Sequence, residues 1–147
     1  MNPYDLTQHP PRSPRIRLGG FAILPRMLDK GRATIANTNG EYHFACPLDQ
    51  RFLTFVDVDP EGVKAQLAEG KGDGDILTWI LENAKNKPAE FEIAAWSKFA
   101  EERVPADLES RAFFNEIHKA AGPNREDIAT WFDVLELDDY VSFGGKA

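Results

Sequence analysis

Hydrophobic side chains recur every three or four positions along most of the chain, the spacing of one apolar helix face. Asp59-Pro60-Glu61 is a helix start, because it supplies a capping oxygen, a proline at the first position and an acid in the first turn. Strand-like alternation is nearly absent. We therefore predict an all-α fold, a compact bundle of about six or seven short helices. These helices begin near residues 21–25, 47, 60, 75, 89, 108 and 126, and the last runs to about residue 138.

Residues 1–20 break this pattern. Pro10, Pro11 and Pro14 interrupt any helix there, because proline lacks a backbone donor and restricts the residue before it. Gly19-Gly20 then permits a sharp turn into the first helix. The sequence therefore predicts an extended Pro/Arg-rich arm over residues 1–20, packed on a single helical domain of residues 21–147.

Composition narrows the class of protein. The 147 residues are 42% hydrophobic and 28% charged, which is typical of one globular domain. No apolar run is long enough to span a membrane, and the first residues lack the apolar segment of a signal peptide. A single cysteine cannot form an internal disulfide, so we expect a cytoplasmic protein. The sequence contains no P-loop string, and we expect no cofactor.

Charge is divided unevenly along the chain. The net charge is −7, but residues 1–32 carry +4 and the remainder carries −11. A sequence pI of about 4.9 argues against binding to nucleic acid. Adjacent acids such as Asp138-Asp139 are expected to be solvated or to cap helices, because a chain with 24 acidic residues contains many such pairs.

The basic segment allows three interpretations. Its cations pair with carboxylates of the acidic body, or they bind an anionic small molecule, or they contact a protein partner. The leading functional hypothesis is a non-catalytic protein that binds an anion or a partner here. The candidate ligand-binding residues are Arg12, Arg15, Arg17, Arg26 and Lys30.

A second candidate site surrounds the only cysteine. Cys46 comes directly before Pro47, and the N-terminus of a helix that starts there would favour a thiolate. The alternative hypothesis is therefore an enzyme with Cys46 as nucleophile and His43 as base, acting on an anionic substrate. A buried cysteine is also commonly an inert small hydrophobe, and in an extended segment His43 and Cys46 point to opposite faces. We predict no metal site, because His43 and Cys46 supply two ligands where zinc needs three or four.

Several strings give the chain a resemblance to a known family. They are Asp5-Leu6-Thr7, Pro10-Pro11-Arg12-Ser13-Pro14-Arg15, Arg17-Leu18-Gly19-Gly20, Leu24-Pro25-Arg26, Asp29-Lys30, Gly40-Glu41-Tyr42-His43, Cys46-Pro47-Leu48-Asp49 and Thr130-Trp131-Phe132-Asp133. Together they resemble the bacterial family called domain of unknown function 5069, over nearly the whole chain. The resemblance implies a single stand-alone domain in a bacterial cytoplasm and transfers no catalytic residue.

Overall fold

Seven α-helices and no β-strand make up residues 4–147, the part of the chain that the computed structural model describes, and this confirms the predicted all-α fold. Residues 1–3 of the predicted arm lie outside the described residues. The helices are α1 (Leu24–Ile35), α2 (Pro47–Val56), α3 (Pro60–Ala68), α4 (Asp73–Asn83), α5 (Glu90–Glu102), α6 (Leu108–Ala121) and α7 (Trp131–Ser142).

Helix α1 is the centre of the fold. Every residue from Phe21 to Gly31 is buried, so the helix is enclosed on all sides along most of its length. It packs against α2 and α3, while α3 contacts α4, and both α5 and α6 contact α7. The main apolar core includes Phe21 and Met27, and Phe21 meets Phe52 of α2 edge to face at 5.1 Å between ring centroids.

The sequence predicted the starts of two helices correctly and the bounds of the last helix incorrectly. Pro47 and Pro60 begin α2 and α3 as predicted. The prediction of a last helix over residues 126–138 is wrong, since α7 covers Trp131–Ser142. The reason is the cap: the Thr130 hydroxyl accepts a hydrogen bond from the Asp133 backbone amide at 3.2 Å, so the helix starts after Thr130.

The arm lies against the helical body. Leu6 is buried, and its amide donates to the Thr38 carbonyl at 2.8 Å. The arm enters α1 through Gly19 and Gly20, whose φ angles of 60° and 86° favour glycine. A side chain at Gly19 would also collide with Leu77, which lies 2.7 Å from the ideal Cβ position. The arm is thereby turned directly into the buried residues that precede α1.

Candidate functional site

Helix α1 carries three polar side chains into the interior, and each pairs with an opposite charge. Arg26 contacts Asp139 of α7 at 2.7 Å, and Lys30 contacts Asp49 of α2 at 2.9 Å. Asp29 binds Arg12 of the arm at 2.9 Å. Buried charges require such partners, because desolvation of an isolated ion is costly. The arrangement places Arg26 and Lys30 inside the protein.

Arg12 links the arm to two helices. Its guanidinium binds Asp29 of α1 and, at 2.7 Å, Asp73. Asp73 lies in the first turn of α4, which begins two positions before the predicted residue 75. Arg32 also reaches Asp73, at 2.8 Å. Burial opposes ionisation of Asp73, but the hydrogen bonds from Arg12 and Arg32 outweigh it and lower the pKa of that carboxyl below its ordinary value.

The other two arm arginines pair with helices at the opposite end of the sequence. Arg15 binds both Asp133 and Glu136 of α7, and Arg17 binds Glu101 of α5 at 2.9 Å. The arm arginines thus fasten it to the helical body, the first of the three interpretations above. A ligand anion at Arg15 or Arg17 would compete with these carboxylates, and anion binding by the arm stays a prediction.

Cys46 occupies the cap position of α2. Its φ and ψ of −66° and 172° are extended, and the residue is half-buried. The segment before it forms turns, with Ala45 in the left-handed region at φ 59°, so the alternation expected of an extended segment does not apply. Lys30 Nζ donates a hydrogen bond to Cys46 Sγ at 3.1 Å. His43 is exposed and makes no hydrogen bond with Cys46.

A cavity of about 750 Å³, here called the Cys46 cavity, opens beside this thiol. It joins the two candidate sites of the sequence in part, because Arg26 and Lys30 border it together with His43 and Cys46. Arg12, Arg15 and Arg17 do not border it. Its remaining polar wall contains Tyr42, Asp138 and Asp139, and its apolar wall contains Leu6, Leu48, Phe113, Leu135 and Phe143.

Tyr42 and Asp139 complete the polar wall. The Tyr42 hydroxyl donates to Asp139 Oδ1 at 2.7 Å, and the Arg26 guanidinium lies 5.5 Å from the centre of the Tyr42 ring. Burial raises the pKa of Tyr42, and the hydrogen bond to Asp139 adds to that rise, so the phenol remains a donor at neutral pH. Burial and the nearby Asp139 charge also raise the pKa of Asp138.

Lys30 and Asp49 form an unusual buried pair. Asp49 is fully buried, and neither of its carboxylate oxygens has a hydrogen-bond partner of good geometry within residues 4–147, although Lys30 Nζ lies 2.9 Å from Oδ2. Burial raises the pKa of Asp49, and the Lys30 charge opposes that rise. An ammonium group has three donors. Within the described chain, Cys46 accepts one hydrogen bond from Lys30, and Asp49 is the ion-pair partner of Lys30.

From the sequence we assigned no role in this site to Tyr42, Asp49 or Asp139. Asp139 was expected to be solvated or to cap a helix, yet it is 7% exposed and receives Arg26 and Tyr42. The signal available was Asp49, which lies one helical turn after Cys46 in a stretch already singled out for chemistry. Nothing local in the sequence indicates that α7 meets α1.

Residues 4–147 contain no group of three or more His, Cys, Asp or Glu side chains arranged to hold a metal ion. None of their helices has the length and apolar character needed to cross a membrane.

These features define a small all-α domain in which a buried, charged central helix lies beside a cavity that contains a half-buried cysteine. The family model described as Domain of unknown function (DUF5069) matches residues 8–141, and the chain belongs to this family. The match confirms the resemblance seen in the sequence. No curated protein matches the chain.

Proposed function

We propose that the protein binds a small anionic molecule in the Cys46 cavity, with the anionic group on Lys30. One observation carries this proposal: the Lys30 side chain is only 4% exposed and borders the cavity, and within residues 4–147 only Cys46 accepts a hydrogen bond from its three donors. Buried donors are almost always satisfied, by protein, by water or by a ligand. An anionic oxygen forms the strongest hydrogen bond available to an ammonium group.

The rest of the cavity indicates the other half of the ligand. Its far wall is apolar, with Leu48 and Leu135 half-buried and Phe113 57% exposed. Sites for small molecules are commonly of this size and combine an apolar lining with a few polar groups. The ligand class that fits both walls is an amphipathic acid, with a carboxylate on Lys30 and a hydrocarbon body against the apolar side chains.

The basic residues predicted to bind an anion would then have two roles. Arg26 and Lys30 border the ligand, whereas Arg12, Arg15 and Arg17 hold the arm in place through their carboxylate partners. A protein partner that docks on the arm stays a prediction.

Octanoate and its uncharged analogue octanamide test the proposal by isothermal titration calorimetry. A charge-assisted hydrogen bond contributes about 1.5–3 kcal/mol, so octanoate should bind roughly tenfold or more tightly than octanamide. In the double variant Lys30→Met/Asp49→Asn, which removes both charges of the buried pair, that preference should disappear. Equal binding of the two compounds to the unaltered protein would overturn the proposal.

A second pair of variants locates the binding site. Ser142 is exposed at the cavity edge on α7, so Ser142→Trp should obstruct entry without disturbing the core. Tyr140 is exposed on the same helix and does not border the cavity, which makes Tyr140→Trp the matched control. Octanoate affinity should fall only in the Ser142 variant, and an equal fall in both would mean binding elsewhere.

One observation favours a second candidate function, a cysteine-dependent enzyme that acts on an anionic substrate in the same cavity. Cys46 combines a helix N-terminus with a lysine ammonium at 3.1 Å, the kind of surroundings in which reactive cysteines are found. In this candidate Cys46 is the nucleophile, His43 on the cavity wall is the proposed base, and Lys30 holds the substrate's anionic group. The kinetics of Cys46 alkylation test this candidate function.

A further inference from the structure

A second concave surface lies between α2 and α5, away from the Cys46 cavity. It is a groove of about 420 Å³, here called the Arg51–Arg103 groove. Its walls are one face of each helix: positions 47, 50, 51 and 54 of α2, and positions 96, 99 and 100 of α5 with Arg103 directly after its end. Both sets follow the spacing of residues on a single helical stripe. The groove therefore runs between one side-chain stripe of α2 and one of α5.

The groove holds positive charge that the protein does not neutralise. Within the described residues, neither Arg51 nor Arg103 places its guanidinium in a hydrogen bond or an ion pair, unlike Arg12, Arg15 and Arg17 of the arm. No acidic residue lines the groove, although the chain has 24 acidic against 17 basic residues. Burial lowers the pKa of Arg103, and the charge of the nearby Arg51 lowers it further.

The groove also offers aromatic surface. Phe55 of α2 and Trp96 of α5 stack with their centroids 5.0 Å apart and their planes within 1°, and both residues line the groove. Phe99 lies one turn after Trp96 on α5 and is 62% exposed. An aromatic ring entering the groove can therefore pack against Phe99 while its substituent reaches the arginines.

We propose that the Arg51–Arg103 groove binds a small molecule that joins an aromatic ring to a phosphate monoester. The ring packs on Phe99, and the phosphate lies between Arg51 and Arg103. A phosphate monoester carries close to two negative charges at neutral pH, which matches two adjacent cations. Guanidinium groups also bind phosphate oxygens in a bidentate fork. This inference is independent of the proposed function, because the two sites share no lining residue.

Calorimetric titration with phenyl phosphate tests the inference, with inorganic phosphate and phenol as the two halves of the probe. Phenyl phosphate should bind about tenfold or more tightly than either half, because only the whole probe uses both the arginines and Phe99. Binding no tighter than that of inorganic phosphate would overturn the aromatic part of the proposal, and an absence of binding would overturn all of it.

Matched arginine variants identify the site. Arg51→Gln and Arg103→Gln should each weaken phenyl phosphate about tenfold or more, whereas Arg125→Gln should leave its affinity unchanged. Arg125 is paired with Asp127, its side chain is 41% exposed, and it lies outside the groove. Equal losses of affinity in all three variants would mean that phenyl phosphate responds only to the overall positive charge of the protein, and would overturn the proposal.

A stability readout separates binding from folding. Because Arg51 repels Arg103 and has no carboxylate partner, Arg51→Gln should raise the Tm of the ligand-free protein at low salt while it weakens phenyl phosphate. A lower Tm would show that Arg51 supports the fold, and it would contradict the account of an arginine kept for a ligand.

Discussion

The Lys30 ammonium lies between the Cys46 sulfur, at 3.1 Å, and the Asp49 carboxylate, at 2.9 Å. Both partners belong to the start of α2, so one cation on the buried helix α1 holds the cap and first turn of its neighbour. Lys30 also borders the Cys46 cavity. The contact that orders α2 is therefore the contact that would meet a ligand.

Removal of Lys30 alone should be strongly destabilising. Lys30→Met leaves the fully buried Asp49 without its counter-charge, and breaking such a pair costs about 3–5 kcal/mol. The double variant Lys30→Met/Asp49→Asn should recover much of that loss, because no buried charge remains. Urea denaturation of the single and double variants measures both values. If the double variant is no more stable than Lys30→Met, the unpaired buried charge of Asp49 is not the cause of the destabilisation.

Arg15 should contribute more to stability than a surface arginine does. It joins the arm to Asp133 and Glu136 of α7, so Arg15→Gln should lower the free energy of unfolding by about 1 kcal/mol, a modest figure because the side chain is 39% exposed. The control is Arg125→Gln, whose Asp127 partner is only two residues away on an exposed loop. Thermal unfolding that shows the same Tm for both variants would contradict the role of Arg15 as a fastening between distant segments.

Asp73 should make stability depend on acid pH. Its folded pKa lies below the ordinary 3.8 because of Arg12 and Arg32, so the folded state binds fewer protons than the unfolded state. The stabilisation is therefore complete above pH 3.8 and is lost as the pH falls through the folded value. Asp73→Asn should cost about 1–2 kcal/mol at pH 7, and that difference should shrink steadily below pH 3.8. Urea titrations at several pH values measure it, and a difference independent of pH would refute the ion-pair explanation.

Alkylation by iodoacetamide distinguishes the neighbours of Cys46. Because Lys30 donates a hydrogen bond to the sulfur, Lys30→Met/Asp49→Asn should slow the alkylation of Cys46 at pH 7. His43 makes no hydrogen bond with Cys46, so His43→Gln should leave that rate unchanged. Slower reaction in the His43 variant alone would instead support His43 as the base of a cysteine enzyme.

Fold class followed from the sequence because the relevant signals are local. Pro47 and Asp59-Pro60 begin helices through chemistry within one turn of the chain, and the structure confirms both starts. The start of α7 was misplaced because Asp127 looked like a first-turn acid. Its carboxylate instead binds Arg125 at 2.7 Å, and Thr130 supplies the cap.

Only part of the site could be predicted from the sequence, because its other contacts join residues that are far apart in the chain. Cys46 at a helix start could be found from Pro47, but its contact with Lys30 spans 16 residues and depends on how α1 packs. The sequence named Arg26 and Lys30 of α1 as candidate ligand-binding residues, whereas the structure buries both side chains and pairs them with Asp139 and Asp49. Asp139 is more distant still, 113 residues from Arg26, and no local rule brings them together.

A crystal structure of the protein grown with octanoate tests the central claim most directly. The account predicts octanoate in the Cys46 cavity, with a carboxylate oxygen at hydrogen-bond distance from Lys30 Nζ, about 2.7–2.9 Å, and the alkyl chain against Leu48 and Leu135. A cavity filled only by water at a concentration that saturates the calorimetric signal would contradict it. So would octanoate bound elsewhere, such as on the arginines between α2 and α5.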